Sequence, residues 1–303
     1  MVRFSDKYDL IFRNRTNMIN HPSLSTISAL KTMWKLCFPQ DTAQFINFYF
    51  EKVFKTNQSL TLWKNNMLVA FLQIIPYQIK IGNNIYEAGY ISGAMTHPEH
   101  RQQGYMRQLL DAAFSEMKKL DYTFTFLIPQ ENRLFDFYAK AGYAKAFPKS
   151  VTEFDWEMDG QINSKNVEVF DDLSKIQIEK LYLLYLKLLT QKANVVLKTE
   201  VQFTFIIEDL FFNEGYVFYM ENEGIAFAVP FEDEIIIKEI LYSNEKARQI
   251  ILNTIKNVFK GEKLFINDFS GRNEYLYGMI KILIPSNFQG EITHDIYMSM
   301  MLD

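Results

Sequence analysis

The chain has 303 residues, 48% hydrophobic and 16% aromatic, which fits two packed domains and excludes an intrinsically disordered protein. Cys37 is its one cysteine, which excludes an intramolecular disulfide and a cysteine-based metal site. The net charge of −4 is uneven, with +7 over residues 1–150 and −11 over residues 151–303. Such halves suit an anionic and a cationic ligand, or are faces charged only for solubility.

The N-terminal residues have no apolar leader, and no apolar run in the chain approaches ~18 residues. No basic patch is interleaved with aromatic residues. We therefore expect a cytoplasmic protein with no membrane span and no nucleic-acid partner.

Apolar periodicity and turn residues predict alternating helices and strands in the first half. In chain order the predicted elements are two helices within 29–55 on either side of Pro39, strands 60–64, 68–81 and 85–96, a helix after Gly104, a strand at 123–128, a helix at about 132–141 ended by Gly142, and a closing strand at 144–156. Short turns at Asn65-Asn66 and Gly82–Asn84 indicate that the first three strands are antiparallel.

The second half repeats this order without obvious sequence identity. Its predicted elements are helices 176–189 and 199–212, strands 216–220, 225–230 and 235–241, a helix at 247–260, a strand at 263–267 and a terminal strand at 295–302. A polar break near residues 157–166 divides the chain into domains 1–158 and 159–303.

Residues 96–110, THPEHRQQGYMRQLL, form a loop that leads into a helix whose apolar residues lie on one face. The N–H groups of a first helical turn attract anions, Gly104 removes a Cβ from their approach, and Arg101 adds a positive charge. The pattern favours a pyrophosphate site, although a plain turn stays open. No G-x-G-x-x-G and no G-K-[ST] motif occurs, which argues against Rossmann and P-loop sites.

The segments ISGAMTHPEHRQQGYMRQLL and FLIPQENRLFDFYAKAGY resemble the Eis-like branch of the GNAT family of acetyl-CoA-dependent N-acetyltransferases. The family's pyrophosphate loop is Q/R-x-x-G-x-G/A, and Arg101–Met106 departs from it only at Met106. The resemblance covers roughly residues 25–155. The second half resembles the degenerate second domain of that branch, and the chain ends where a third, sterol-carrier-like domain would begin.

The resemblance implies an α/β (α+β) fold of two tandem GNAT-like units, each a mixed, mostly antiparallel sheet flanked by helices. It also implies which residues contact acetyl-CoA. Backbone groups of Ala94, Met95 and Thr96 would pair with the pantetheine arm. Arg133 and Leu134 would lie near the wall of either the adenine side or the pantetheine arm. The pyrophosphate would be held by Arg101 and the loop residues Gln102, Gln103, Gly104, Tyr105, Met106 and Arg107.

For catalysis, the resemblance implies that Tyr138 protonates the departing thiolate, although Tyr138 also lies on an apolar helix face typical of a core residue. The base that takes the proton of the amine stays open between the C-terminal carboxylate of Asp303, Glu87 and a water relay. We expect no metal, because His97 and His100 have no third ligand nearby in the sequence and are read as loop histidines.

The corresponding junction of the second half, residues 242–246, contains no glycine and carries Glu245. We therefore expect one acetyl-CoA per chain and transfer to a primary amine of a small-molecule or peptide acceptor, with the acidic half favouring a cationic one. The alternatives are a tandem-GNAT transferase with another acyl or aminoacyl donor and a non-catalytic acyl-CoA-binding regulator. The acceptor and a homo-oligomeric state stay open.

Overall fold

The computed structural model describes residues 17–154, 166–260, 263–270, 275–293 and 295–302. It divides into two compact units, one of Met1–Ile75 and Gly89–Asp121 and one of Pro76–Ala88 and Tyr122–Asp303. Residues 122–154 are thus grouped with the second half of the chain. The predicted polar break falls almost entirely on residues 155–165, outside the described residues, so the domain limits 1–158 and 159–303 stay a prediction.

The described part of the first unit contains an antiparallel sheet and three α-helices. Its elements are β1 (Met18–Asn20), α1 (Ile27–Cys37), α2 (Ala43–Phe48), β2 (Ser59–Lys64), β3 (Met67–Ile81), β4 (Asn84–Thr96) and α3 (Tyr105–Lys119), with β3 and β4 continuing into the second unit. β2 pairs antiparallel with both β1 and β3, as the sequence predicts for the β2–β3 hairpin. Asn65 and Asn66 link β2 to β3 with φ of 52° and 64°, the left-handed pair of a two-residue hairpin turn.

The core of the first unit forms around Trp34 on α1. Its ring lies 4.5 Å from the ring of Tyr49 and 5.6 Å from that of Phe50. Gly93 on β4 has φ of +58°, and a Cβ there would lie 2.8 Å from a Trp34 ring carbon. A side chain at this position would be strained and crowded, so glycine is required. Its left-handed conformation interrupts the extended run of β4 directly before the three residues expected to pair with pantetheine.

The second unit contains a mixed sheet and further helices. Its elements are β5 (Phe124–Leu127), α4 (Asn132–Lys140), β6 (Ala144–Phe154), β7 (Val167–Phe170), α5 (Ile178–Leu189), β8 (Asn194–Leu197), α6 (Glu200–Phe212), β9 (Tyr216–Met220), β10 (Gly224–Phe231), β11 (Glu234–Tyr242), α7 (Glu245–Phe259), β12 (Lys263–Asp268) and β13 (Tyr275–Ile282). The strand order is β5-β13-β6-β12-β11-β10-β9-β7. The neighbours pair antiparallel except β11 and β12, which are parallel.

β13 lies between β5 and β6, although more than a hundred residues separate it from them in the sequence. The sequence predicts neither β13 nor the strands β7 and β8. The expectation that strand 144–156 closes the first half is therefore wrong in its pairing, because β6 is bordered by β13 and β12, both from the second half.

The predicted terminal strand at 295–302 is also wrong. Only an isolated bridge between Tyr297 and Val195 forms there, yet Ile296 to Leu302 are all buried. The fold class itself is confirmed as a mixed, largely antiparallel sheet flanked by helices. None of the described helices combines the length and apolar character needed to cross a bilayer.

Candidate functional site

The junction between β4 and α3 is the stretch that the sequence indicates as an anion site. The His97 N–H, directly after the end of β4, donates to the Val69 C=O of β3 at 2.9 Å. This hydrogen bond holds the start of the loop against β3. A short 3₁₀ turn, Pro98–His100, follows. Gln102 and Gly104 then take left-handed conformations, with φ of 63° and 79°. Gly104 directly precedes Tyr105, the first residue of α3.

The N-terminus of α3 has no side-chain cap, because its N-cap residue is Gly104. The first helical hydrogen bond runs from Gln108 N–H to Gly104 C=O at 3.1 Å. N–H groups before that point have no partner within the helix and are the donors that bind anions at helix starts. A Cβ on Gly104 would meet nothing within 4 Å. The left-handed backbone therefore favours glycine here, and open space lies beside its Cα.

Arg101 is held against the end of β4. Its Nε donates to Thr96 C=O at 3.3 Å, and the same carbonyl accepts from Cys37 Sγ at 3.4 Å. Burial raises the pKa of the Cys37 thiol, and Arg101 partly offsets that rise. The structure thus brings Arg101 and Thr96 together, with Cys37 as a contact that the sequence does not indicate.

Lys64, at the end of β2, is a residue of this site that sequence reasoning missed. Its Nζ donates to Gln103 Oε1 at 3.3 Å and lies 5.3 Å from the centre of the Tyr105 ring. The Tyr105 hydroxyl donates to the same Gln103 oxygen at 3.1 Å. The structure therefore places a lysine beside the glycine-containing loop.

His97 and His100 lie next to each other, with ring centres 5.6 Å apart. The Nδ1 atoms of both rings are buried, and among the described residues neither has a hydrogen-bond partner. Throughout the described ranges, no group of three His, Cys, Asp or Glu side chains is placed to hold a metal ion.

Tyr138 lies on α4 in the second unit and is 6% exposed. Its ring packs on Phe137 and Tyr143, with centres 5.1 and 5.8 Å away. Burial raises the pKa of its hydroxyl to about 12, so the group is protonated at neutral pH. These contacts fit a core aromatic, and the retained proton is what a general acid requires.

The other predicted residues of the second unit lie nearer the surface. Arg133 forms an exposed ion pair with Glu131, and Leu134 is half-buried on the first turn of α4. Glu87 is exposed and accepts a hydrogen bond from Gln78 at 2.7 Å. Asp303, the other candidate base, lies outside the described residues.

The corresponding junction of the second half, between β11 and α7, lacks the open features of the first. The Asn244 side chain caps α7 by accepting from Ala247 N–H at 3.0 Å, and Glu245 occupies the first turn. A satisfied cap and a carboxylate both disfavour an anion. The sequence-based expectation that this junction differs from the first therefore has a structural basis.

The C-terminal segment packs beside β11 through a buried carboxylate. Glu239 is 0% exposed, and its two oxygens accept from Ser299 Oγ, each at 2.7 Å, and from Met300 N–H at 3.2 Å. The Tyr185 hydroxyl contacts the same serine oxygen. These hydrogen bonds compensate for the cost of burying the Glu239 carboxylate, and they attach the C-terminal segment to β11.

We expect Glu239→Gln to lower the free energy of unfolding by about 1–3 kcal/mol, because the amide has one acceptor oxygen and leaves a buried donor unpaired. Glu234→Gln, the same change on the same strand at a half-buried position, serves as the control and should change it by about 0.5 kcal/mol or less. Urea denaturation measures both. Equal midpoints for the two variants would contradict the proposed role of Glu239.

Residues 19–146 match the family model described as an acetyltransferase (GNAT) domain. This part of the chain is therefore similar to a GNAT acetyltransferase domain, which confirms for residues 19–146 the resemblance read from the sequence. No curated protein matches the sequence.

Solved structures extend the likeness to both halves. The chain is similar to a probable N-acyltransferase from Enterococcus faecalis, with 14% identity, 88% of this chain and 72% of that one covered, and a TM-score of 0.75. The chain is also similar to a GCN5-related N-acetyltransferase from Anabaena variabilis, with 17% identity and a TM-score of 0.74. The match covers 89% of this chain and 74% of that one. The match to Eis1 from Mycobacterium abscessus has 10% identity and a TM-score of 0.67, and it covers 89% of this chain and 75% of that one. At these identities the likeness concerns the fold alone.

Proposed function

We propose that the protein is an acetyl-CoA-dependent N-acetyltransferase that transfers acetyl directly to a primary amine. The observation that carries the proposal is the start of α3. There, within a GNAT-type domain, a left-handed Gly104 leaves the first helical N–H groups without a side-chain cap and open space beside its Cα. Backbone donors arranged in this way suit the pyrophosphate of coenzyme A.

In the proposed reaction the amine nitrogen attacks the thioester carbonyl, and collapse of the tetrahedral intermediate breaks the C–S bond. Tyr138 gives its hydroxyl proton to the departing thiolate, and a base accepts the proton that the amine loses. Asp303, Glu87 and a water relay are the candidates for the base. Ala94–Thr96, Arg133 and Leu134 are proposed contacts of the pantetheine and adenine parts of the donor.

We propose a cationic acceptor, either a small molecule or a peptide, because the second half carries a net charge of −11. The cytoplasm is the proposed compartment. The proposal involves no metal, membrane or nucleic acid, and it applies equally to a monomer and to a homo-oligomer.

Titration calorimetry with acetyl-CoA tests the donor site. We expect one acetyl-CoA per chain, because the α7 start is capped by Asn244 and carries Glu245. Two equivalent sites would contradict the assignment of the second half. No binding at high micromolar acetyl-CoA would overturn the proposed function.

A thiol-release assay with a panel of amines tests the chemistry. Acetylation of any primary amine, verified by mass spectrometry, supports the enzyme. Binding of acetyl-CoA without acetylation of any amine would favour a non-catalytic acyl-CoA sensor. Preference for a longer acyl donor would identify the alternative transferase.

A further inference from the structure

Three basic side chains lie along the loop and the first turn of α3, and their contacts differ. Arg101 donates to the Thr96 carbonyl at 3.3 Å, and Arg107 pairs with Asp111 at 3.1 Å. Across the described part of the chain, Lys64 has no carboxylate partner. Its polar contact is the neutral amide oxygen of Gln103. Lys64 is thus a cation of this site whose charge is not balanced by an acid.

The position of Lys64 is fixed by local structure. It is the last residue of β2, directly before the Asn65-Asn66 hairpin turn, and it is half-buried. Its ammonium lies over the Tyr105 ring at 5.3 Å, and Tyr105 is the first residue of α3. The helix start and the lysine are therefore two sources of positive potential next to Gln103 and Tyr105.

The ammonium has three donors, of which Gln103 uses one. Gln103 is itself held by Tyr105 O–H at 3.1 Å and donates to Glu99 C=O at 3.4 Å. A lysine that is held in place, has unused donors and lacks a counter-ion is suited to an anion that arrives with the ligand.

We propose that Lys64 binds a phosphate group of the acetyl-CoA donor. The inference rests on the proposed function and extends its donor site from the loop to the β2–β3 hairpin. Coenzyme A carries a pyrophosphate and a 3′-phosphate. Either group has negatively charged oxygens that could accept hydrogen bonds from the Lys64 ammonium.

The test compares the affinity of wild-type protein and variants for acetyl-CoA and for 3′-dephospho-acetyl-CoA by calorimetry. We expect Lys64→Met to weaken acetyl-CoA binding about 10-fold, the loss of one charge-assisted hydrogen bond. Lys64→Arg, which keeps the charge, should stay within about 3-fold of wild type. Lys119→Met removes the same charge at the other end of α3, about 20 Å away, and should change affinity less than about 2-fold.

The outcomes separate this inference from the proposed function. A loss confined to acetyl-CoA assigns Lys64 to the 3′-phosphate, and an equal loss with both ligands assigns it to the pyrophosphate. If the wild type binds acetyl-CoA and Lys64→Met binds it equally well, the role of Lys64 is overturned while the donor site stands. If the wild type binds no acetyl-CoA, the proposed function is overturned, and the inference with it.

Discussion

Gly104→Glu is expected to abolish measurable acetyl-CoA binding while the protein stays folded. A Cβ at this position meets nothing within 4 Å, so the substitution costs only the strain of a left-handed residue, about 1–2 kcal/mol. The new carboxylate would lie beside the helix N-terminus that the pyrophosphate needs. Repulsion between like charges costs several kcal/mol, so we expect affinity to fall by about 100-fold or more in calorimetry.

Gly82→Glu is the matched control for this variant. Gly82 is also left-handed, with φ of +58°, and a Cβ there also meets nothing within 4 Å. Gly82→Glu therefore adds similar strain and the same charge. Because Gly82 lies in the turn between β3 and β4, away from the loop in sequence, acetyl-CoA affinity should not change. Gly104→Ala adds strain without charge and should bind more tightly than Gly104→Glu. Unchanged affinity in Gly104→Glu would place the donor site elsewhere.

Tyr138→Phe is expected to lower turnover by about 100-fold or more while acetyl-CoA affinity changes less than about 3-fold. The substitution removes the proposed proton donor and keeps the ring that packs on Phe137 and Tyr143. Steady-state kinetics and calorimetry measure the two effects separately. Turnover equal to wild type would return Tyr138 to a purely structural role.

Tyr143→Phe is the control, because it also removes a buried phenol hydroxyl, one that hydrogen-bonds Thr125 at 3.2 Å. Its turnover should stay near that of wild type. The pH profile adds a further readout. Since burial raises the pKa of Tyr138 to about 12, the hydroxyl keeps its proton through pH 10, and the wild-type rate should not fall on the alkaline side below that pH. An alkaline decline starting near pH 8 would identify a different acid.

Local patterns predicted the parts of the fold that depend on neighbouring residues. The apolar face of α3 is buried, with Leu109, Leu110 and Ala113 at 0% exposure, because helical periodicity places those residues on one side. The β2–β3 hairpin follows from its two asparagines. Both are properties of a few consecutive residues.

Pairing between distant segments was not predictable in the same way. β13 pairs with β5 and β6, and nothing in its own sequence indicates those partners. Residues 295–302 were mistaken for a strand because they are apolar. They are buried by other means, with the Ile296 N–H donating to Ala146 C=O at 3.2 Å and the Met300 N–H to Glu239.

The residues of the candidate site likewise fall into those adjacent in sequence, which could be predicted, and those brought together by tertiary structure, which could not. The glycine, the arginine and the helix start are adjacent in sequence, and the loop could therefore be recognised. Lys64 comes from a hairpin about forty residues earlier, and Cys37 from α1, so only tertiary structure brings them to the loop. The proton acceptor of the reaction stays a prediction.

The insertion of β13 between β5 and β6 has a consequence for synthesis of the chain. Lys149 on β6 has Tyr275 on β13 as its partner, so the ladder between β6 and β13 stays incomplete until residues 275–282 have been made. At ribosomal rates of about 5–20 residues per second, β5 and β6 wait on the order of ten seconds with unpaired edges. During that interval the nascent protein is exposed to strand addition from other chains, and chaperones that cover such edges would increase its yield.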